Sequence, residues 1–520
     1  MRALLVYPQF PVTYWGFQHG LEVIGKRASL PPLGLVTVAA SLPRDWELRL
    51  VDLNVRELLD AELAWAEVVL TGGMLVQADS IRELVRRAHV AGRRIVVGGP
   101  APTTTPELFD EADIVFRGEL EGRTADLVSA IKEGQTVRLD APPGYPDISE
   151  TPVPRFDLLD LASYASMSIQ YSRGCPFRCE FCDIVAIFGR RPRVKSSAQI
   201  LAELDALDRL GYRGTLFFVD DNFIGNRPAV RTLLPELLQW QETHGRPFEL
   251  YTEASLDLAG DPALTQEMVA AGFTAVFVGI ETPSREALSA VHKTQNLRVD
   301  VPDAVERLTR AGLEVMGGFI VGFDSDGPAI FEAQRQLIQA LPIPLAMVGL
   351  LIALPGTALQ RRLEAEGRLR ERTDGDHFGR PNFAPVMDEE ALLSGYRGLL
   401  ADLYSPEAYY RRCEAYVDRV GPTPSGGGVS ARDVQHLLRS LIGIGVRSPR
   451  RLLYWRLLLR TLLRAPRQLK WAVTHAVMGE HVVRYTEEHV LPRLERALAE
   501  VRADRHAAPR PVRRSQRVAA

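Results

Sequence analysis

The sequence predicts an α/β protein with two successive strand–helix regions followed by a helical C-terminal region. Short runs rich in β-branched residues alternate with amphipathic stretches up to about residue 370, and the strand pattern then stops. At roughly 150 residues per domain, 520 residues leave room for three or four domains. The predicted parts are an α/β domain (1–140), a linker (141–165), a second α/β domain (166–370), a helical region (371–500) and a disordered basic tail (501–520).

Composition excludes several classes of protein. Hydrophobic residues make up 46% and charged residues 24%, which excludes wholesale disorder. The 62 Lys and Arg nearly balance the 65 Asp and Glu, so we expect no nucleic-acid partner. Four cysteines in so long a chain exclude a disulfide scaffold. The start of the chain is typical of a first strand rather than a signal peptide, and no apolar run reaches the roughly 20 residues of a membrane span. We therefore expect a cytoplasmic protein.

The first region has the rhythm of a parallel βαβ sheet. Its predicted strands are Ala3–Val6, Leu48–Val51, Val68–Leu70, Arg94–Val97 and Ile114–Val115. Turn-forming residues follow several strand ends, which is where open α/β sheets bind ligands. Any one of them is equally consistent with a tight turn, but three such loops on one edge favour a ligand. The residues are Gly72, Gly73, Gly98, Gly99, Pro100 and Gly118.

The second region continues the alternation after a proline-rich linker. Its predicted strands are Ser168–Tyr171, Thr215–Val219, Phe248–Tyr251, Ala275–Gly279, Val315–Val321 and Val348–Ala353. Six strand–helix units favour a partial or full barrel, whose active site gathers at the carboxyl ends of the strands.

A cysteine loop follows the first strand of this second region. Cys175, Cys179 and Cys182 are spaced C-x3-C-x2-C, so one chain reversal can aim three thiolates at a soft metal centre. Zinc would need a fourth ligand, and the loop has no histidine. An iron–sulfur cubane on three thiolates would leave one iron open to another ligand. The remaining cysteine, Cys413, lies in a predicted helix and is expected to be a buried structural thiol.

The segment Arg173–Cys182 resembles the cluster loop of the radical S-adenosylmethionine (SAM) superfamily, and Phe181 matches the aromatic residue usual there. The resemblance implies a (βα)6 partial barrel and a [4Fe–4S] cluster on the three cysteines. Its open iron would bind SAM, which one electron cleaves to a 5′-deoxyadenosyl radical. The alternative role for Asp220, Asp221 and Glu281 is structural: their carboxylates would cap helices and accept hydrogen bonds from main-chain N–H groups in the turns after the strands. The implied SAM contacts are Asp220, Asp221, Glu253, Ser255, Gly279, Glu281, Gly318 and Pro355.

The first region is similar to the Rossmann-like cobalamin-binding domain that precedes many radical SAM enzymes. Tyr14–Leu35 and Trp46–Asn54 resemble the subgroup of hopanoid C-2 methylase-like proteins, with the bacteriochlorophyll cyclase more distant. Many cobalamin domains carry Asp-x-His-x-x-Gly, but the stretch that starts at Asp52 has no histidine. The resemblance therefore implies a lower cobalamin face set by the loop Gly72–Gln77, which includes Met74 and Val76, and not by His19 or His89. A domain that has lost cobalamin is the alternative.

Together the two resemblances imply a cobalamin-dependent radical SAM enzyme. One SAM would methylate cobalamin and a second would yield the radical, so that methyl reaches an unactivated carbon of a small-molecule or lipid-like substrate. A flavodoxin- or ferredoxin-like protein would supply the electron. The alternatives are oxidation or ring formation without methyl transfer, and a catalytically silent iron–sulfur or corrinoid-binding regulator.

The helical end is basic between residues 450 and 470. Arg456, Arg460 and Arg464 are four residues apart and so share one helical face, beside a face of Trp and Leu. This pattern fits peripheral contact with the inner face of an anionic membrane. It fits equally a helix packed on the barrel with its arginines solvated. The run Gly421–Gly428 predicts a flexible break.

Overall fold

The structure, a computed structural model, describes residues 1–373, 375–421 and 431–506. Of the predicted flexible break at 421–428, only the first residue lies within these ranges. The predicted tail differs from the structure at its start, since the last helix continues to His506. The helix persists there because Leu498 and Val501 on its inner face are still buried. Residues 507–520 lie outside the described part.

A six-stranded parallel sheet forms the first domain, with strand order β2-β1-β3-β4-β5-β6. The strands are β1 (Arg2–Tyr7), β2 (Glu47–Asp52), β3 (Val68–Gly72), β4 (Arg94–Gly98), β5 (Ile114–Phe116) and β6 (Val137–Leu139). The helices are α1 (Gln18–Ile24), α2 (Leu33–Ser41), α3 (Asp60–Trp65), α4 (Ala78–Val90), α5 (Pro100–Thr104) and α6 (Thr124–Lys132). The sequence predicted five of these strands and missed the short edge strand β6, whose residues are only half-buried.

The second domain is an open sheet of six parallel strands in the order β14-β13-β12-β11-β10-β7, with β8 and β9 as a separate antiparallel pair. Its strands are β7 (Met167–Ile169), β8 (Ser172–Arg173), β9 (Arg193–Val194), β10 (Gly214–Phe218), β11 (Phe248–Glu253), β12 (Phe273–Glu281), β13 (Glu314–Val321) and β14 (Ala346–Leu350). Because β7 and β14 are both edges, the barrel is partial, which confirms the predicted fold class.

Helices surround this sheet between the strands. They are α7 (Ile184–Phe188), α8 (Ser197–Arg209), α9 (Arg227–Thr243), α10 (Pro262–Ala270), α11 (Arg285–Ala290), α12 (Val301–Arg310), α13 (Ile330–Ala340) and α14 (Ala358–Ala365). The sequence marks their starts locally. Ser196, for example, forms a capping box with Gln199 at the start of α8.

The C-terminal region is helical and packs on the edge of the barrel that ends in β14. It contains α15 (Glu389–Leu403), α16 (Pro406–Arg419), α17 (Ala431–Gly443), α18 (Arg451–Arg464), α19 (Leu469–Tyr485), a π-helix (Thr486–Val490) and α20 (Leu491–His506). The buried Arg412 guanidinium donates to the main-chain oxygens of Ile343 (3.0 Å) and Leu403 (2.8 Å). Cys413 is fully buried in α16, as expected for a structural thiol. None of the helices in the described ranges combines the length and hydropathy that a bilayer crossing requires.

The segment between the two sheets is packed rather than loose. Ile148, Phe156 and Tyr164 are all buried. The Tyr164 hydroxyl donates to Asp52 Oδ2 over 2.9 Å, which joins this segment to the end of β2. The prolines therefore direct an ordered crossing from one domain to the other.

Replacing Tyr164 by Phe should lower the free energy of unfolding by about 1–3 kcal/mol, because the buried Asp52 carboxylate loses a hydrogen-bond donor. The measurement is the midpoint of thermal unfolding, with limited proteolysis as a second readout. Tyr145→Phe is the matched control, since the Tyr145 ring is exposed. Equal midpoints for Tyr164→Phe and the parent chain would contradict the role of this bond.

Candidate functional site

The cysteine loop leaves the barrel directly after β7 and β8, and two aspartates that follow β10 hold its first residues. Asp220 Oδ1 accepts hydrogen bonds from the main-chain N–H groups of Tyr171 (2.8 Å) and Ser172 (2.6 Å). Asp221 Oδ2 accepts one from Gly174, at 3.2 Å. These contacts match the turn-satisfying alternative. Asp220 Oδ2 is nevertheless buried and has no hydrogen-bond partner in the described residues, which leaves it able to meet a ligand.

The three cysteines of the loop are partly buried, and Cys179 is close enough to interact electrostatically with both Cys175 and Cys182. Three thiols on a loop without a histidine are the donor set of an iron–sulfur cluster rather than of a four-coordinate zinc site. Burial raises the pKa of the Cys175 and Cys182 thiols. A cationic iron centre would offset that cost, so the donor set fits an iron–sulfur cluster.

A lysine and a glutamine that sequence reasoning missed lie beside the loop. Lys293 Nζ is 2.6 Å from Glu281 Oε1, and both side chains are buried. Burial alone would lower the Lys293 pKa, but Glu281 and Cys179 raise it above its ordinary value. The Gln295 amide, also buried, donates from Nε2 to Cys179 Sγ over 3.7 Å. Both residues lie more than 100 positions beyond the cysteines in the chain, so no local pattern marks them.

The end of β12 needs a glycine to make room for this pair. The register of β12 shifts between Gly279 and Glu281, and Glu281 has a positive φ of 68°. A Cβ atom on Gly279 would lie 2.3 Å from Glu281 Oε1 and 2.8 Å from Lys293 Nζ. The bulge therefore turns the Glu281 carboxylate toward the cysteine loop at the cost of an unusual backbone conformation.

A buried ion network joins the cysteine loop to the first domain. Arg173 donates to Glu119 at 2.6 Å and pairs with Glu121 at 2.9 Å. Arg193 of β9 also binds Glu119, at 2.8 Å. The two glutamates follow Gly118 in the loop after β5. The network therefore fixes the cysteine loop against a glycine loop of the first sheet.

A cavity of about 2320 Å³ lies between the two sheets and the C-terminal helices. This is more than the roughly 300–1,000 Å³ of an ordinary small-molecule site and leaves room for more than one ligand. The predicted residues that line the cavity are Gly72, Gly73, Met74, Val76, Gly98, Gly99, Pro100, Gly118, Asp220, Asp221, Glu253, Gly279, Glu281 and Gly318. Phe181, Ser255, Pro355 and the three cysteines are not among its lining residues in the described part of the chain.

The residues outside the cavity have other contacts. Ser255 bonds to Asn222 and Asp257. Phe181 packs against Phe323, with Lys293 Nζ 5.9 Å from its ring centre. The cysteine loop reaches the cavity through neighbours, since Arg173 and Asp221 both line the cavity. The structure thus brings the predicted barrel and first-sheet residues to one space, with the thiols next to it.

Three carboxyl groups of the barrel face the cavity from a poorly hydrated wall. Burial raises the pKa of Asp220 and Glu253 to about 8, and repulsion from Asp221 adds to the effect. Burial also raises the pKa of Asp221 to about 6, where Asp183 is the repelling group. A cationic group of a ligand would stabilise their ionised forms. The arrangement is therefore suited to bind an ammonium group such as the one SAM carries.

Glycines at the strand ends form part of the first-sheet wall of the cavity. A Cβ on Gly72 would lie 2.6 Å from the Gly98 carbonyl oxygen, so β3 and β4 approach closely where they end. Asn54 lines the cavity, but its amide N–H groups are already engaged, with Asp52 Oδ1 (2.7 Å) and the Pro8 oxygen (3.2 Å). His89 instead pairs with Asp113 at 3.1 Å, and neither His19 nor His89 lines the cavity. The wall fits a flat corrin ring without a histidine below it.

Aromatic and aliphatic side chains line the rest of the cavity. Phe217 stacks on Tyr251 with ring centres 4.6 Å apart, and Trp15 meets Phe277 edge-on at 5.1 Å. Beyond them the wall is formed by helices α1, α17 and α19. The sequence did not indicate these residues, because large apolar side chains are equally typical of an ordinary core.

Comparison with known proteins identifies the family. The Radical SAM superfamily model matches residues 169–333, the B12 binding domain 26–128, and a Domain of unknown function (DUF4070) 357–493. An uncharacterized methyltransferase of Synechocystis sp. is 41% identical over 94% of this chain and 92% of its own length. The hopanoid C-2 methylase of Rhodopseudomonas palustris is 35% identical over 94% of each chain. The chain belongs to the B12-binding radical SAM family of these methylases.

Solved structures show the same fold. The radical SAM methyltransferase TsrM from Kitasatospora setae, with cobalamin and a [4Fe–4S] cluster bound, has a TM-score of 0.59 at 17% identity and covers 94% of this chain and 99% of its own. The cobalamin-dependent enzyme OxsB has a TM-score of 0.59 at 16% identity and covers 97% of this chain and 84% of its own.

These findings confirm the predicted class. The chain is a cobalamin-dependent radical SAM methylase, and its cofactors are a [4Fe–4S] cluster, SAM and cobalamin. The alternatives of a reaction without methyl transfer and of a catalytically silent regulator are not favoured.

Replacing Gln295 by Leu should lower the reduction potential of the cluster by roughly tens of millivolts. An N–H donor stabilises the negative charge that builds on sulfur when a cluster is reduced, so its loss disfavours reduction. The measurement is a redox titration followed by electron paramagnetic resonance. Gln336→Leu is the control, since Gln336 is exposed on α13. A potential equal to that of the parent would show that the Gln295 amide does not act on Cys179.

Proposed function

We propose that the protein methylates an unactivated carbon of a polycyclic lipid of the hopanoid class. The observation that carries this proposal is the large cavity between the two sheets. One of its walls contains Arg173 and Asp221 beside the cysteine loop, the opposite wall contains the glycine loops of the first sheet, and the surface between them is largely apolar. Its volume exceeds what a small polar substrate needs. The relative of known activity that matches almost the whole chain acts on a hopanoid.

We assign a task to each group of residues around the cavity. Cys175, Cys179 and Cys182 hold the cluster, while Asp220 and Asp221 fix the loop that presents them. When bound, the cofactors supply a 5′-deoxyadenosyl radical and a transferable methyl group, and an external flavodoxin- or ferredoxin-type protein supplies the electron.

Charged and glycine residues complete the assignment. Glu253 and the Glu281–Lys293 pair meet the charged end of SAM from the barrel wall. The loops at Gly72 and Gly98, together with Gly118, receive the corrin because no side chain there stands in the way. Apolar side chains from all three regions exclude water from the radical.

Anaerobic incubation with methyl-labelled SAM, a reductant and a hopanoid should yield 5′-deoxyadenosine, S-adenosylhomocysteine and labelled lipid together. Cys179→Ala should reduce all three products to background, because the cluster loses a ligand. Cys413→Ala is the matched control and should keep the products, since that thiol is buried in α16. Deoxyadenosine without the other two products would contradict methyl transfer, and labelled SAM consumption without labelled lipid would contradict the substrate class.

We also propose that the protein contacts membranes through an apolar face on α17 and α18. Arg456 binds Glu414 at 2.6 Å and Arg460 binds Asp418 at 3.0 Å, so both arginines face α16. Leu457 and Leu458 of α18 are buried, and its other large apolar residues are mostly exposed. The exposed residues of the apolar face are Val434, Leu438, Ile442, Val446, Leu452, Trp455, Leu459, Leu462 and Leu463.

Two features of the apolar face support membrane contact. The exposed apolar side chains lie together on adjacent helices, whereas the exposed apolar residues of a soluble protein are usually scattered singly. Arginines near such a patch can bind anionic lipid headgroups. Val434 belongs both to the apolar face and to the cavity lining, so a lipid has a short path from the surface to the site. In the proposed contact the exposed leucines of α18 enter the membrane interface and its arginines lie beside them.

The double variant Leu459→Asp, Leu463→Asp should weaken flotation with anionic liposomes by more than about tenfold, because each leucine that enters the interface contributes about 1.5–3 kcal/mol. Val90→Asp is the matched control, because Val90 at the end of α4 is even more exposed than Leu459 and Leu463. This variant should float like the parent. Unchanged flotation of the double variant would remove the apolar face as the contact.

A further inference from the structure

A second cluster of metal-ligand side chains lies outside the cavity, where α1 meets the π-helix. It contains His19 of α1 with Glu488 and His489 of the π-helix, and one donor atom from each lies within 4.8 Å of the others. His19 Nε2 is 3.9 Å from Glu488 Oε2. This gap is too long for a hydrogen bond but shorter than two metal–ligand bonds of about 2.0–2.2 Å each.

The His19 backbone is anchored to His481, and one ring nitrogen of His19 is available to a ligand. Its Nε2 atom is buried and has no hydrogen-bond partner among the described residues. The His19 main-chain N–H donates to His481 Nδ1 at 3.4 Å, and His481 Nε2 meets the Thr13 oxygen at 2.8 Å. Both ring nitrogens of His481 therefore have partners, whereas the Nε2 atom of His19 points toward Glu488 and His489.

The local fold that forms this cluster is itself unusual. The π-helix Thr486–Val490 interrupts the passage from α19 to α20. A π-turn is rare and often marks a functional position, because the wider turn shifts the direction of the side chains that follow it. Here it carries both Glu488 and His489 toward α1.

We propose that His19, Glu488 and His489 bind a divalent transition-metal ion of the zinc type. Two imidazoles and one carboxylate are a ligand set that Zn²⁺ accepts, with water in the fourth position. The ion braces α1, whose Gly20 and Leu21 line the cavity, against the C-terminal helices. Arg484 competes for the carboxylate, since it donates to Glu488 Oε1 at 3.0 Å.

The test uses tag-free protein loaded with its cluster and cobalamin, titrated with Zn²⁺ alone by calorimetry and then assayed for metal content. The parent should bind one Zn²⁺ per chain, and its thermal midpoint should rise on binding. His19→Ala and His489→Ala should weaken binding at least about tenfold, as loss of one ligand does. The iron content of each sample separates binding here from exchange at the cysteine loop.

Two further variants sharpen the result. Glu488→Gln changes an exposed side chain without altering its size, so it removes a ligand and keeps the fold. Arg484→Ala should tighten binding by about threefold to fivefold, because a competing surface ion pair is lost. His89→Ala is the control, since His89 forms a histidine–carboxylate pair on the first domain. Equal Zn²⁺ binding by the parent, His19→Ala and Glu488→Gln, or no binding by the parent, would overturn the proposal.

Discussion

The buried contact between Arg173 and the glutamates after β5 sets the geometry on which the rest of the structure depends. Two separate sheets must present their carboxyl ends to one cavity, and this contact lies where they meet. The guanidinium is almost fully buried, yet Glu121 and Glu119 outweigh the burial cost and raise its pKa. A buried pair of this kind is costly to break, because the remaining charge would be stranded. The cysteine loop and the first sheet therefore keep a fixed separation.

Radical chemistry explains why three regions share one cavity. A reactive carbon radical must meet its methyl donor before it meets water, so both cofactors and the substrate need a common enclosed space. The barrel contributes carboxylates and the cysteine loop, while the first sheet contributes glycines at its strand ends. The C-terminal helices close the remaining side with apolar residues such as Val473 and Val477 and with charged ones such as Lys470.

The C-terminal helical region lines the cavity and is also anchored to the barrel. Arg412 and the pair formed by Glu314 and His475 anchor it to the edge of the barrel through buried polar contacts. The arginines of α18 are partly used in the same way, toward α16. Polar contacts and buried apolar residues such as Leu457 and Leu458 thus together hold α18 against the rest of the protein.

Elements with local signals could be predicted from the sequence. The cysteine spacing, the glycines at strand ends and the six strand–helix units are patterns within short stretches, so the fold class followed from them, while the cofactors followed from the family resemblance that these motifs carry. The strand β6 escaped because three half-buried residues carry too little periodicity. The helices predicted at Asp388–Tyr404 and Glu407–Val420 also follow from a local 3.6-residue pattern, and they correspond to α15 and α16.

Only the tertiary structure decided which distant residues meet. Gln295 contacts Cys179 across 116 positions, and Arg173 contacts Glu119 across 54. It also gave Asp220 a main-chain partner and left Leu452, Leu459 and Leu463 of α18 exposed, while Leu457 and Leu458 are buried. A single sequence holds no record of such pairings, because they arise from the packing of whole elements. Side-chain type fixes what a residue can bind, and packing alone fixes what lies within its reach.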